Sequence, residues 1–180
     1  MSASDLRALL RERSVLKGDF VLASGRRSSH YIDARKTTMS AAGQDLIGRL
    51  GLAAIREAGW QATRVGGLTM GADPVAYAIA RASLDAPPVI DAFSVRKAAK
   101  QHGTGRRIEG NFAAGESVVV VEDVITSGGS ALEAVAAIRQ AGGIVAGVLA
   151  VVDRDEGGRA AIEQHGLPVR SLASVRELLA

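Results

Sequence analysis

The first sixty residues carry three apolar patterns, two of helical period on either side of an extended one. Leu6, Leu9 and Leu10 recur at helical spacing behind Ser4, a candidate cap, and predict a short N-terminal helix that packs as a lid or an edge. From Phe20 to Asp33 the run FVLASGRRSSHYID sets two short apolar stretches around a Ser, Gly and Arg cluster, the pattern of a hairpin or a hooked extended segment. From about Ser40 to Ala58 the spacing predicts a helix with Leu46, Leu50, Ala53 and Ala54 as its buried stripe and Gly59 as its terminator.

Beyond Gly59 the chain alternates. Arg64 to Gly67 reads as a short strand and Gly67 to Asp73 as a loop, with Asp73-Pro74 as a cap and first-turn proline opening a helix to about Ser83. Val89 to Val95 and Ser117 to Val121 read as strands, Ser130 to Gln140 as a helix ended by Gly142, and Ile144 to Val152 as a further strand. The tail supplies a helix, a short strand and a last helix. Strands that alternate with helices imply right-handed crossovers, hence an α/β fold with a mostly parallel central sheet flanked by helices on both faces. No repeat, linker or low-complexity tract interrupts the chain, so one domain spanning 1–180 is expected.

Composition narrows the class. Of 180 residues, 47% are apolar and 23% charged, which suits an ordinary globular core. With no cysteine there is no disulfide, thiolate nucleophile or Cys-rich zinc site. The N-terminus interleaves acids and bases, and no apolar run approaches the roughly 18 residues of a membrane span. A cytoplasmic protein without a membrane partner is expected. A net charge of +3 is small for a nucleic-acid binder, and no nucleic-acid partner is expected either. The charge is local instead: Arg96, Lys97, Lys100, Arg106 and Arg107, with His102 among them, form a cationic segment without an acid. Holding four of them, Arg96, Lys97, Lys100 and His102, together is unfavourable unless a polyanion enters, and the segment lacks the aromatic residues that would stack nucleobases. Glycines at 103, 105 and 110 flank the charges and predict a mobile lid over residues 96–110.

The strongest local signal is VVVVEDVITSGGSALEA, residues 118 to 134. Four consecutive valines suit a strand buried on both faces, and such strands deliver their ligands at the carboxyl end, where Glu122 and Asp123 stand. Thr126, Ser127, Gly128, Gly129 and Ser130 then precede a helix, so hydroxyls, open backbone N–H groups and a helix N-terminus converge where a phosphate would sit. No GxxxxGK[ST] occurs, and two acids would repel a triphosphate. Ribose hydroxyls are better partners for them. The alternative is that the loop merely caps a helix and the two acids are solvated.

Four apolar residues, two acids, two apolar residues and a Thr, Ser and Gly loop resemble, position for position, the phosphoribosyl diphosphate motif of the type I phosphoribosyltransferases. The resemblance implies that fold, with a small N-terminal hood over about residues 1–40. It also implies that Glu122 and Asp123 hold the ribose 2- and 3-hydroxyls while Thr126, Ser127, Gly128, Gly129 and Ser130 cradle the 5-phosphate, with Val124 and Ile125 beside them in the donor site. Three further segments are similar to the orotate branch of that family: FVLASGRRSSHYID to its hooked N-terminal segment, SVRKAAKQHG to its catalytic loop, and VVDRDEGG to a strand end from which an arginine reaches the acceptor carboxylate. With GGLTMGADP the likeness runs from about residue 20 to 158.

Resemblance to the orotate branch implies a transfer of phosphoribosyl from 5-phosphoribosyl 1-diphosphate to orotate, giving orotidine 5-phosphate and pyrophosphate in pyrimidine synthesis. Arg96, Lys97, Lys100 and His102 would meet the diphosphate, with Lys100 the main catalytic group beside Glu122 and Asp123. Arg154 and Thr126 would bind orotate, Arg154 offering a planar fork to its carboxylate; a surface pair with Asp153, Asp155 or Glu156 is the plainer role for that arginine. Mg²⁺ is the implied cofactor, carried by the substrate rather than by protein ligands, and a homodimer is implied in which the loop 96–110 serves the neighbouring site. Two positions depart from the pattern. Ala23 and Met70 stand where some orotate enzymes carry lysine, and Arg26, Arg27 or Lys36 are candidates to compensate. His30 and His165 belong to no metal constellation. A phosphoribosyltransferase for another base and a nucleotide-sensing regulator on the same fold are the alternatives.

Overall fold

Val118 to Val121 divide between two hydrophobic clusters. Val119 and Val121 pack with Ile47, Ile55, Ile79, Leu149 and Val151, whereas Val118 and Val120 pack with Phe93, Ile138, Val148 and Ile162. Side chains alternate across a strand, so this division means a strand covered on both faces. All four valines are fully buried, each contributing roughly 1.5–3 kcal/mol of apolar burial.

The computed structural model describes residues 2–21, 25, 27–98 and 107–180. Its elements run α1 (Ala3–Arg13), β1 (Val15–Val21), β2 (Arg27–Ile32), α2 (Arg35–Thr38), α3 (Ala41–Glu57), β3 (Arg64–Leu68), α4 (Ala72–Asp85), β4 (Asp91–Val95), β5 (Ile108–Gly110), β6 (Ser117–Ile125), α5 (Gly129–Gln140), β7 (Ile144–Asp153), α6 (Gly158–Glu163), β8 (Val169–Ser174) and α7 (Val175–Leu179). The main sheet has the order β5-β4-β3-β6-β7-β8, and all its pairings are parallel except β4 with β5. The α/β architecture expected from the alternating pattern is therefore the one observed. From β3 the chain steps outward to β4, and from β6 it steps the other way to β7 and β8. The order reverses between β3 and β6, the place where open parallel sheets form a crevice.

Several boundaries differ from the sequence expectation. Helix α1 is capped by Ser2, not Ser4, because Asp5 completes a capping box with Ser2. It is not a lid: Leu6 and Leu10 are fully buried with Ile47 and Ile55, and Arg11 donates to the carbonyls of Glu177 and Leu178. The hooked segment is a hairpin that starts earlier than expected, with Val15 opposite Ile32 and a register shift between Lys17 and Phe20. Its aromatic pair, Phe20 and Tyr31, has ring centroids 5.6 Å apart. Helix α4 begins behind Gly71, so Asp73 lies inside its first turn rather than capping it. There its carboxylate accepts the hydroxyls of Thr69 and Ser94, each at 2.6 Å, and ties the loop after β3 to β4.

Strand β6 is longer than its valines suggested. It pairs with β3 only as far as Val120 but with β7 through Ile125, so Glu122 and Asp123 lie within a strand whose β3 side has opened. The cationic segment conceals a strand as well: Val95 pairs with Ile108, and the Arg96 N–H donates to the Arg107 carbonyl at 2.8 Å. Lys100, His102, Arg106 and the glycines at 103 and 105 lie outside the described residues, as do Ala23 and Arg26. Among the described residues no helix is long and apolar enough to cross a membrane.

Candidate active site

A cleft of about 540 Å³ opens at the carboxyl end of the sheet where β3 and β6 part. Glu122, Asp123, Val124, Thr126 and Ser130 line one wall, Thr69, Met70 and Gly71 another, and Tyr31, Asp33 and Arg35 descend from the hairpin side. Lys97 enters from beyond β4 and Arg154 from the end of β7. Glu122 also borders a smaller concavity of about 30 Å³ enclosed by residues 124–131.

That smaller concavity is the turn TSGGS. Gly128 adopts φ 83°, the left-handed region open to glycine, and so turns the chain from β6 into α5. No side chain caps α5, and the N–H groups of a helix's first turn have no partners inside the helix. Donors and dipole at this turn would favour an anion. Behind the turn, a Cβ on Gly158 would stand 2.8 Å from the Gly128 nitrogen, so the α6 backbone fits against the turn only as glycine.

The two acids differ in surroundings. Glu122 is 5% exposed, and its Oε1 has no hydrogen-bond partner among the described residues. Burial, reinforced by the charge of Asp123, lifts the Glu122 carboxyl to about 8. Burial also raises the Asp123 carboxyl, opposed by the Val124 N–H donating to Oδ1 at 2.8 Å and by Arg35 nearby. Arg35 in turn donates to Asp33 at 3.0 Å, which raises its own pKa further. A buried carboxyl group with an unpartnered oxygen suits hydroxyl partners, or a hard cation that would displace its proton.

Of the residues singled out from the sequence, Glu122, Asp123, Val124, Thr126, Ser130, Lys97 and Arg154 meet in the larger cleft, and Ile125, Ser127, Gly128 and Gly129 border the smaller one. The side chain of Ile125 also belongs to the core around Val118 and Val120. Arg96 does not reach the cleft; it lines the groove beside Thr69, Ser94 and Glu109 and lies 3.7 Å from Glu109. Arg107 is absorbed in structure, bonding Glu133 at 2.6 Å and the carbonyls of Arg96 and Lys97. Arg154 lines the cleft with its side chain 13% exposed, and it pairs at 3.0 Å with Glu156, one of the acids named for its plainer role.

Sequence reasoning missed Tyr31, Asp33 and Arg35. Among the described residues, Arg35, rather than Arg27 or Lys36, is the cation that the hairpin side brings to the cleft. Its placement depends on α2, held by a buried 2.7 Å hydrogen bond between the Ser14 and Thr37 hydroxyls, which leaves no local signal around Arg35 itself.

No family model matches the chain. Among curated proteins, the orotate phosphoribosyltransferase of Mycobacterium avium (strain 104) is 49% identical over 177 residues, covering 97% of this chain and 94% of that one. Among solved structures, orotate phosphoribosyltransferase of Mycobacterium tuberculosis H37Rv in complex with Fe(III) dicitrate superposes with a TM-score of 0.88 at 46% identity, covering 98% of each chain. The same enzyme in complex with 5-phospho-alpha-D-ribosyl 1-diphosphate gives a TM-score of 0.83 at 42% identity over 99% of each chain.

Proposed function

The chain belongs to the orotate phosphoribosyltransferase family, and from that membership we propose how its cleft carries out phosphoribosyl transfer to orotate, giving orotidine 5-phosphate and pyrophosphate. The observation that carries the reading is the meeting, in one cleft at the sheet's reversal point, of an acid pair, an uncapped helix N-terminus and an arginine from the next strand. Each matches one part of the reactants. Glu122 and Asp123 accept from the ribose hydroxyls, Thr126 to Ser130 receive the 5-phosphate, and Arg154 with Thr126 takes the orotate carboxylate.

In the transfer the bond from the ribose anomeric carbon to the diphosphate oxygen breaks, and a bond from that carbon to a ring nitrogen of orotate forms. Positive charge builds on the ribose ring and negative charge on the departing pyrophosphate. The chain's contribution is electrostatic and positional. The acids beneath the ribose favour the cationic ring, while Lys97 and, by our proposal, Lys100 and His102 favour the leaving anion. In the proposed assembly the chain is one phosphoribosyltransferase domain under a hood of about residues 1–40, and it forms a cytoplasmic homodimer in which the 96–110 loop, apart from Lys97 and the residues from Arg107 onward that this chain's own fold holds, serves the neighbouring site.

Among the described residues no group of three or more His, Cys, Asp or Glu forms a metal site. The unpartnered Oε1 of Glu122 beside Asp123 nevertheless fits a hard cation that takes its remaining oxygens from the substrate. Mg²⁺ bound in that way would neutralise diphosphate charge.

The test is consumption of orotate by the purified protein with 5-phosphoribosyl 1-diphosphate and Mg²⁺, against uracil, adenine and hypoxanthine. Turnover of orotate above the other three bases is expected. A preference for a base without a carboxylate would overturn the acceptor assignment.

A further inference from the structure

Arg154 begins the turn that leaves β7, and its N–H donates to the Ile125 carbonyl at 3.0 Å. The next residue, Asp155, has φ 54°, the one described non-glycine residue with positive φ. Such a conformation needs local support in a residue with a side chain. The support is visible: the Asp155 N–H donates to Asp153 Oδ1 at 3.0 Å. Asp153 is 3% exposed, so its carboxylate needs a partner of opposite charge within the protein.

Arg159 supplies it. Its Nε donates to Asp153 Oδ2 at 2.9 Å, its Nη1 to the Val169 carbonyl at 2.8 Å and its Nη2 to Ser171 Oγ at 2.9 Å. Three edges of one planar guanidinium are thus fixed across the ends of β7 and β8. Arg159 does not line the cleft. Its hydrogen bond to Asp153 links it, through the left-handed turn, to Arg154.

We propose that Arg159 is a positioning residue for acceptor recognition: by holding Asp153, and through it the Asp155 turn, it aims Arg154 at the orotate carboxylate. The inference rests on the reading of Arg154 as the acceptor's carboxylate partner. It gives Arg159 a share in choosing between carboxylated and uncarboxylated bases, although no atom of Arg159 touches either.

The test compares Arg159→Ala and Arg159→Lys with the unsubstituted enzyme, varying orotate and 5-phosphoribosyl 1-diphosphate separately. In Arg159→Ala the KM for orotate should rise about fivefold or more while that for the donor stays within about twofold. Arg159→Lys, which keeps the charge but cannot span three acceptors, should fall between. In an Arg154→Ala background, Arg159→Ala should add nothing further to the orotate KM, since the group it positions is gone. If Arg159→Ala does not fold, Ser171→Ala removes one acceptor of the guanidinium and should raise the orotate KM selectively, to a smaller extent. A role confined to stability would lower Tm with both KM values unchanged, or would act equally with and without Arg154, and either result overturns the proposal. Absence of orotate turnover in the unsubstituted enzyme would instead overturn the reading of the site itself.

Discussion

Gly71 stands against Asp123 so closely that a Cβ on the glycine would lie 2.6 Å from the carboxylate Oδ1. The loop between β3 and α4 and the acid on β6 are therefore shaped to each other, and the aspartate cannot yield freely because the Val124 N–H holds the same oxygen at 2.8 Å. Gly71→Ala should push Asp123 out of line and raise the KM for 5-phosphoribosyl 1-diphosphate about tenfold, an effect of about 1.4 kcal/mol. Titration of the donor into the variant, with Tm as control for folding, measures it. An unchanged donor KM would separate Asp123 from the ribose.

The Glu122 carboxyl makes stability depend on pH in an unusual direction. Its value rises from 4.5 to about 8 because burial disfavours the charge, so between those values the folded protein binds a proton that the unfolded chain has released. Stability of the ligand-free protein should accordingly fall as pH rises through that window, by at most about 1.4 kcal/mol per pH unit, and level off above it. Glu122→Gln removes the group and should flatten the profile. Thermal unfolding of both proteins across pH 5 to 9, roughly the window concerned, decides the matter; parallel profiles would show that Glu122 is not the group responsible.

How much of this was legible beforehand differs from one residue to the next. Val118 to Val121 announced a central strand because only burial on both faces tolerates four apolar residues in a row, and the acids and glycines after them are chemically informative at short range. Asp73 was misread because the Asp-Pro pair has the form of a helix start, whereas its carboxylate is occupied by Thr69 and Ser94, the latter 21 residues away. Arg107 stood in the sequence as one more charge in a basic run, whereas Glu133 on α5 pairs with it. Arg35 gave no signal, since its place in the cleft is decided by the packing of the hairpin and α2 and not by neighbours in sequence, whereas Tyr31 stood inside the hooked segment without being assigned to the site. Local chemistry was readable and long-range partnership was not.

Lys100 lies outside the described residues, and its proposed role rests on the motif around it and on the company of Lys97, which does reach the cleft. An ammonium that meets the leaving pyrophosphate chiefly in the transition state should affect turnover more than binding. Lys100→Ala is expected to lower kcat on the order of 10²-fold or more without lowering Tm. Near-normal turnover would remove Lys100 from the reaction and leave Lys97 as the cation to examine.

Arg154 gives the most specific expectation. Its side chain is 13% exposed and already paired with Glu156 at 3.0 Å, so the guanidinium is held in place before any acceptor arrives and little freedom is lost on binding. A contact between this cation and a carboxylate in a partly desolvated cleft contributes about 1.5–3 kcal/mol, which corresponds to roughly 10–100-fold in the orotate KM of Arg154→Ala. The donor KM should stay near its original value, because the proposed site takes the ribose and phosphate groups from β6 and α5 and not from β7. The preference for orotate over uracil should shrink by a similar factor, since uracil never used the contact. Steady-state kinetics with both bases measures the two effects together, and equal losses for orotate and uracil would show that Arg154 shapes the cleft without reading the carboxylate.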